Sequence, residues 1–220
     1  MQPFAVQKLN RVRKSDRAAY DRETVFAVLD AGFVTHAAFV ADGRPVVIPM
    51  VYGRIDEALY LHGARATRFV KALRAGAPVC LCVTHVDGLV LGRSAFHSSV
   101  NYRSAVIHGT AVETTDTQER EATMAAITDH MAPGRWDEAR LATKKELRAT
   151  SILRVTIEAA SCKQRSGPPV DEDEDYGLPV WAGVIPFRTV AGEPEDDGRL
   201  LAGVGLPDSV AKLVGTVNGG

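Results

Sequence analysis

One stretch of the sequence, LYLHGARATRFVKAL, joins a predicted strand end to a cluster of basic side chains. His62 and Gly63 end an apolar run, and no Ser, Thr, Asp or Asn directly precedes the helical pattern that follows. The opening turns of that pattern carry Arg65, Thr67, Arg68 and Lys71. Free N–H groups at a helix start, the helix dipole and nearby cations together suit a phosphate. The alternative, which periodicity alone favours, is the solvated face of an amphipathic helix with Gly63 as a tolerable cap.

A second stretch, DGLVLGRSAFHSSVNYRSAVIHGTA, carries polar residues almost without interruption between two predicted strands. These residues are His97, Ser98, Ser99, Asn101, Tyr102, Arg103 and Ser104. They offer hydrogen-bond donors, a cation and an aromatic ring for stacking, which a planar phosphorylated heterocycle needs. Because side chains alternate along a strand, Arg103 should share a face with Ala105, opposite to Ser104.

Other chemical motifs are missing from the sequence. It has no G-x-S-x-G, G-x-x-x-x-G-K-[ST], G-x-G-x-x-G or H-E-x-x-H pattern. Cys80 and Cys82 are interpreted as buried reduced thiols rather than half of a metal site, because no second Cys/His pair has suitable spacing. The acidic run at 171–175 is interpreted as a solvated loop rather than a cation site. We therefore predict no metal site.

The composition is that of an ordinary globular protein. The chain has 220 residues with 26 basic and 27 acidic side chains, and its formal net charge of -1 gives no general attraction to nucleic acid or anionic lipid. No apolar stretch approaches the roughly 18 residues of a membrane span. The N-terminal region lacks the apolar core of an export signal. We expect a cytoplasmic protein without nucleic-acid or membrane partners.

The elements that position the two polar stretches are mostly short strands. Asp21 should cap a helix that ends near Gly32, and Asp42-Gly43 should connect a hairpin. Further strands are predicted at 58–62, 79–84, 88–91, 103–113, 151–159 and 180–187, and further helices after residues 65, 116 and 143. This order lacks regular βα alternation and predicts an antiparallel barrel with helices at its openings. Residues 1–188 should form the domain, and 189–220 a loosely attached tail.

Four segments together resemble a known family. In order, DGRPVVIPMVYGR, LYLHGARATRFVKAL, DGLVLGRSAFHSSVNYRSAVIHG and PVWAGVIPF are similar to the flavin-nucleotide-binding branch of the pyridoxamine 5′-phosphate oxidase-like superfamily, which includes nitroimidazole-resistance type proteins. The similarity covers about residues 11 to 188, and its long third segment is the most specific.

The resemblance implies a mainly β split barrel with peripheral helices that forms a homodimer and binds FMN non-covalently at the subunit interface. We divide the implied flavin-binding residues into three groups. The first group is Ile48, Pro49, Met50 and Val51; the second is His62, Gly63, Ala64, Arg68 and Lys71; the third is His97, Ser98, Asn101, Tyr102, Arg103 and Ser104. Trp181 would approach the flavin from the partner subunit. Arg103 is the candidate for a positive charge beside the flavin ring.

The resemblance also implies a function. It favours an FMN-dependent oxidoreductase that passes reducing equivalents from a nicotinamide nucleotide to a small acceptor such as a nitro compound or a quinone. The alternatives are a non-catalytic module for flavin or haem, with His62 or His97 as an axial ligand, and a protein that uses the deazaflavin F420. The arginine-rich ending of the vitamin B6 oxidases is missing, so oxidation of pyridoxamine phosphate is not expected. No residue is assigned as a catalytic acid, base or nucleophile, because the flavin itself would carry the hydride.

Overall fold

The computed structural model describes residues 1–218 and is built around a long antiparallel sheet. The helices are α1 (Arg22–Asp30), α2 (Arg68–Leu73), α3 (Thr117–Met131), α4 (Arg135–Glu138), α5 (Lys144–Ala149) and α6 (Asp208–Ala211). The strands are β1 (Ala18–Ala19), β2 (Val34–Ala41), β3 (Arg44–Val51), β4 (Gly53–Ile55), β5 (Ala58–Ala64), β6 (Ala75–Leu91), β7 (Ser99–Glu113), β8 (Thr150–Arg165), β9 (Gly183–Pro186), β10 (Thr189–Val190) and β11 (Val217–Asn218).

The main sheet has the order β3-β2-β6-β7-β8-β5-β4, with β1 beside β8 and β9 beside β6. Its two outermost strands, β3 and β4, are separated in the chain by Tyr52 alone, so the sheet curls round until its edges meet. No ladder joins β3 to β5 within residues 1–218, so the barrel is left split. The predicted mainly β fold with peripheral helices is confirmed.

Local sequence signals account for several elements. Asp42 and Gly43 both have positive φ angles, as the tight hairpin turn between β2 and β3 requires. The Asp21 carboxylate accepts a hydrogen bond from Thr24 N and starts α1, and Thr143 and Glu146 form a reciprocal capping box at α5.

Buried side chains form two clusters on opposite faces of the strands. Alternate residues of β6, β7 and β8, such as Leu81, Ile107 and Val155, fill the barrel interior together with α1 and α2. A smaller outer cluster joins Tyr60 and Ile152 to Ile127 of α3. The helix thus covers the outside of the sheet where β4 pairs with β5.

Three details differ from the sequence predictions. The strand β4 was not predicted; it follows β3 directly and turns back at Asp56, whose φ is 51°. The strands predicted at 79–84 and 88–91 are one strand, β6, with an irregularity between Val86 and Gly88 that allows β9 to pair beyond it. The helix predicted to lack a cap begins at Arg68 and is capped by the Thr67 hydroxyl.

The segment after Arg188 returns to the body of the protein. β10 pairs with β11, and Ser209 N donates a hydrogen bond of 3.1 Å to the Glu138 carboxylate at the end of α4. Most of its side chains are exposed. Among residues 1–218, none of the helices is both long enough and apolar enough to cross a membrane.

Candidate functional site

The first two predicted groups face one another across the split of the barrel. The β4–β5 ladder ends at the Gly53–Tyr60 pair. Beyond this pair, the end of β3 and the second half of β5 lie on the same side of the ladder and run alongside each other. Residues 48–51 pair only with β2, and residues 62–64 pair only with β8. The facing backbone edges therefore have no strand partner in the described chain and are free to bind a ligand.

The side chains at this gap are mainly apolar, with one polar atom that lacks a partner. Ile48 and Met50 pack against the barrel interior, and Val51 packs against the outer cluster. His62 is half-buried, and its Nδ1 atom is buried without any hydrogen-bond partner in residues 1–218. Burial lowers the pKa of His62, so its neutral form is favoured. A buried orphan nitrogen beside an open strand edge is consistent with a ligand that completes it.

Two exposed cations stand at the end of the gap. Arg68 and Lys71 are on α2, which follows β5, and neither forms an ion pair with any described residue. Arg65, by contrast, lies 3.6 Å from the Glu113 carboxylate. Because Thr67 caps α2 and the helix is short, any phosphate here would depend on side-chain cations rather than on free helix N–H groups.

The third group lies apart from the other two in the same chain. Val51 of β3 pairs with Val34 of β2. If the β2–β6 register is extended two residues beyond its last pair, His36–Cys82, Val34 lies level with Thr84 of β6, which pairs with Ser104 of β7. Strands β2 and β6 thus separate the first group from the third by roughly 14 Å. Trp181 is farther along, next to β9, and is 65% exposed. One chain therefore does not bring the predicted site residues together.

Protein contacts already engage most of the third group. The Arg103 guanidinium makes a bidentate ion pair with Asp87, at 2.9 and 3.1 Å. Asn101 donates to the Gly167 carbonyl, and Ser104 donates to the Lys163 carbonyl. Ala105 is buried in the barrel interior, so Arg103 is on the inner side, as the alternation predicted. The charge of Arg103 is thus balanced by Asp87.

The remaining members of the third group lie in or beside the loop before β7. The His97 ring is 3.7 Å from the Glu172 carboxylate, the Ser98 hydroxyl accepts from Gly92 N, and the Tyr102 ring lies beneath the Lys163 ammonium.

The first carboxylate of the acidic run is not solvated, which corrects the sequence interpretation. The Asp171 side chain has no exposed surface, pairs with Arg93 and accepts hydrogen bonds from Arg93 N and Ser94 N. Burial acts to raise the pKa of Asp171, but these hydrogen bonds outweigh it and the pKa is lowered. Asp171 therefore fixes the loop that carries His97. The four carboxylates that follow are largely exposed, as predicted.

A cavity of about 600 Å³ opens at a second interruption of the sheet, which we call the β6 notch. Residues 83–86 of β6 have no strand on the side where β2 and β9 pair, because β2 pairs only up to Cys82 and β9 begins at Gly88. The cavity is lined by residues 31–34 after α1, residues 83–87 of β6, and Phe187, Arg188, Thr189 and Val217. No local sequence pattern indicates this cavity, since its walls come from three distant segments.

His85 in the β6 notch is held by one of its ring nitrogens. Its Nε2 atom lies 3.0 Å from the carbonyl oxygen of Val28. The ring packs so closely against the end of α1 that a Cβ atom on Gly32 would lie 2.8 Å from its Cε1 atom. In residues 1–218, no cluster of three or more His, Cys, Asp or Glu side chains could bind a metal ion.

Comparison with solved structures finds two close relatives that span nearly the whole chain. The flavocytochrome Anf3 from Azotobacter vinelandii is 39% identical, with a TM-score of 0.90 over 97% of this chain and 100% of that chain. The FAD and haem binding protein from Mycobacterium smegmatis is also 39% identical, with a TM-score of 0.86 over 90% of this chain and 98% of that chain.

A more distant structure shares the fold alone. It is a 5-nitroimidazole antibiotic resistance protein homologue from Bacteroides thetaiotaomicron, 18% identical, with a TM-score of 0.56 over 66% of this chain and 85% of that chain. No curated protein matches the chain. The family model described as pyridoxamine 5′-phosphate oxidase matches residues 21–164. The chain therefore belongs to the pyridoxamine 5′-phosphate oxidase family.

Proposed function

We propose that this protein is a flavin-binding redox protein that carries haem as a second cofactor. The observation that carries this proposal is the match at 39% identity, over 97% of the chain, to a protein named as a flavocytochrome. A second relative at the same identity is named for binding FAD and haem. Family membership alone would support only the flavin.

The split between β3 and β5 fits a flavin nucleotide. Its apolar side chains and unpaired backbone edges suit a planar ring that has hydrogen-bonding groups along one side. Arg68 and Lys71 are free to bind phosphate at the end of the gap. These features serve FMN and FAD equally. The flavin would supply two-electron chemistry with a nicotinamide nucleotide and one-electron chemistry with a haem.

The protein's own side chains would act by binding and orienting the cofactor. His62 would present its unpartnered Nδ1 to the flavin, and its low pKa would keep it neutral there. With NADH or NADPH as donor, two electrons and a proton would leave the nicotinamide, and a quinone or nitro acceptor would take up the electrons with protons from water. We propose this oxidoreductase activity in preference to simple storage of the cofactors.

A homodimer would complete the site. Within one chain, two strands separate the third group from the gap, so a flavin bound at the gap would reach residues 97–104 or Trp181 only from a second copy. The outward faces of β2 and β3 toward their hairpin turn carry Val40 and Val47, which are exposed. Covering them with a second copy would remove apolar surface from water.

The absorbance spectrum of the protein as purified tests the cofactors. We expect flavin bands near those of free flavin together with a Soret band, and chromatography of the released cofactor would distinguish FMN, FAD and F420. Anaerobic NADH or NADPH should bleach the flavin band. A protein that is colourless and takes up no flavin on reconstitution would overturn the proposal.

Two matched variants test whether Arg68 and Lys71 bind the phosphate of the flavin. Arg68→Ala and Lys71→Ala should each weaken flavin binding about tenfold, because each removes a charged contact to phosphate. Arg44→Ala, at the exposed β2–β3 turn, is the control and should leave binding unchanged. Loss of binding in the control alone would place the phosphate elsewhere.

Subunit mixing tests the shared site. One sample carries Arg68→Ala with Lys71→Ala, and the other carries Trp181→Ala with Ser98→Ala. If each flavin touches both chains, mixed dimers contain one intact site, and flavin binding should recover when the two samples are unfolded together and refolded. A site contained in one chain would show no recovery.

A further inference from the structure

We propose that the cavity at the β6 notch is the haem site, and that His85 is its axial ligand through Nδ1. This inference rests on the haem binding proposed above, but it concerns which residues of this chain hold the group. Three features of the notch support this assignment: the hydrogen-bonded histidine, the apolar walls and the charged side chains around the cavity. The positions of His62 and His97 support it as well.

The hydrogen bond of His85 leaves its other ring nitrogen, Nδ1, free. A backbone carbonyl can only accept, so the Nε2 atom, 3.0 Å from Val28 O, must carry the proton. The lone pair of the neutral ring is then on Nδ1, for which no partner exists in the described residues. A histidine that binds a metal commonly donates its other N–H to a carbonyl or carboxylate, which fixes the tautomer and the ring orientation. His85 already has this arrangement.

The notch has the walls that a large apolar ring requires. Phe33 and Val34 line one side, Val83 and Val86 lie on β6, and Phe187 and Val217 come from the C-terminal segment. Five of these six side chains are appreciably exposed. The volume of about 600 Å³ is typical of a cofactor site. Apolar residues this exposed on the walls of one cavity indicate that an apolar group covers them.

The charges around the cavity suit a ring with carboxylate substituents. Arg188 is exposed, lines the cavity and pairs with no carboxylate in residues 1–218. Asp87 also lines the cavity, but the bidentate pair with Arg103 neutralises it. One free cation thus remains to meet an anionic substituent. Arg103, which the sequence placed beside the flavin, would serve the haem site by neutralising Asp87.

The other two candidate histidines are less well placed. The Nδ1 atom of His62 is buried at the gap, where the flavin is proposed to bind, and His62 does not line the notch. His97 is 3.7 Å from the Glu172 carboxylate and packs against the Phe96 ring, and it does not line the notch. His130 also has a ring nitrogen against a backbone carbonyl, that of Gly32, but the cavity it lines has a volume of about 270 Å³, against about 600 Å³ for the notch. Among His62, His85 and His97, as residues 1–218 are described, His85 alone combines a fixed ring, a free nitrogen and a cavity.

Three single variants of the full chain test the ligand: His85→Ala, His62→Ala and His97→Ala. Each is reconstituted with hemin, and the readouts are haem stoichiometry from the pyridine haemochrome, the Soret maximum and the EPR spectrum. His85→Ala should weaken haem binding about tenfold or more and change the ligand-field spectrum, and added imidazole should restore the spectrum. His62→Ala and His97→Ala, whatever their effect on flavin binding, should keep the Soret maximum and the EPR spectrum of the haem.

The outcomes separate this inference from the proposed function. If the unaltered protein binds haem but His85→Ala keeps its spectrum, or if His62→Ala or His97→Ala changes it instead, the assignment of His85 is wrong and haem binding stands. If the unaltered protein takes up no haem, the haem part of the proposed function fails as well.

A second variant covers the case in which His85→Ala does not fold. Arg188→Glu alters an exposed side chain, so the fold and the flavin content should persist while haem affinity falls about tenfold, and Arg188→Lys should recover part of it. Equal haem affinity in Arg188→Glu and the unaltered protein would contradict the site.

Discussion

The split between β3 and β5 and the β6 notch are both places where the sheet lacks a neighbouring strand, yet they differ in chemistry. The split is bordered by two cations and a histidine nitrogen that have no partner among residues 1–218. The notch has apolar walls from three segments, a histidine held by a carbonyl, and Arg188, which pairs with no carboxylate in the described part of the chain. One suits a phosphorylated polar ring, and the other suits a large apolar ring with acidic substituents.

One sheet can therefore provide two regions that suit different ligands. An interrupted ladder exposes backbone groups in either case, so the surrounding side chains decide which ligand fits. The split lies within the segment matched by the family model, whereas residues 187–217, which close the notch, lie beyond it. Residues 31–34 and 83–87 of the notch lie inside the matched segment, so only its C-terminal wall lies outside. Predictions that affect one region and not the other test this division.

Gly53→Ala should have the largest effect and should act on the split. A Cβ atom there would lie 2.8 Å from Ile127 N and 3.0 Å from Ala126 C, and the helix backbone of α3 cannot rotate away. We expect a loss of about 3 kcal/mol in the free energy of unfolding, measured in urea, because the helix must shift off the outer cluster. Flavin retention should fall more than haem retention. Gly192→Ala, with open space around it, is the control.

Tyr52→Phe should affect both regions together. Tyr52 is fully buried between β3 and β4. Its hydroxyl lies within hydrogen-bonding reach of the carbonyl of Leu29, which precedes the notch, and of the carbonyl of Gly32, which lines it. Removing the hydroxyl leaves a buried carbonyl with less hydrogen bonding and should cost about 1–2 kcal/mol. Thermal unfolding measures the loss of stability. Titration with flavin and with haem shows whether the affinity for both cofactors falls. The exposed Tyr176→Phe should change neither.

Gly32→Ala should act on the notch alone, with a smaller loss of stability. The new Cβ atom would crowd the His85 ring at 2.8 Å, but a side chain can move where a backbone cannot. We expect a cost of about 1 kcal/mol and a shifted haem spectrum, with unchanged flavin affinity. A variant whose flavin affinity falls while its haem spectrum stays the same would show that the two regions are not separate.

The sequence predicted the elements that depend on local signals. The Asp42-Gly43 turn and the caps at Asp21 and Thr143 need only neighbouring residues, and all three are confirmed. By contrast, β4 and the irregularity in β6 arise from pairing with distant strands, which no local pattern shows. The three flavin-binding groups were identified by resemblance, and their common role stays a prediction, since one chain separates them.

Two features of the sites could not be seen in the sequence because they depend on distant contacts. His85 lies in a strand that reads THVD, where nothing distinguishes it from a packing residue; its carbonyl partner comes from α1 and its cavity from the C-terminal segment. Asp171 begins a run of like charges, a pattern typical of a solvated loop, and only the folded chain shows its ion pair with Arg93.

Asp171→Asn should have the smallest effect on stability, because Asp171 fixes only the loop that carries His97. The pH dependence of this effect tests whether it comes from the ionised carboxylate. The pKa of Asp171 is lowered in the fold, so the unfolded chain binds its proton at higher pH than the folded chain does. Its stabilising contribution is therefore complete above the unfolded pKa of about 4 and is lost as the pH falls through the folded value. The difference in urea midpoint between the variant and the unaltered protein should be largest at neutral pH and should shrink below pH about 4. Haem binding should be unchanged if His85 is the ligand, and it should weaken only if the loop, with His97, forms part of that site.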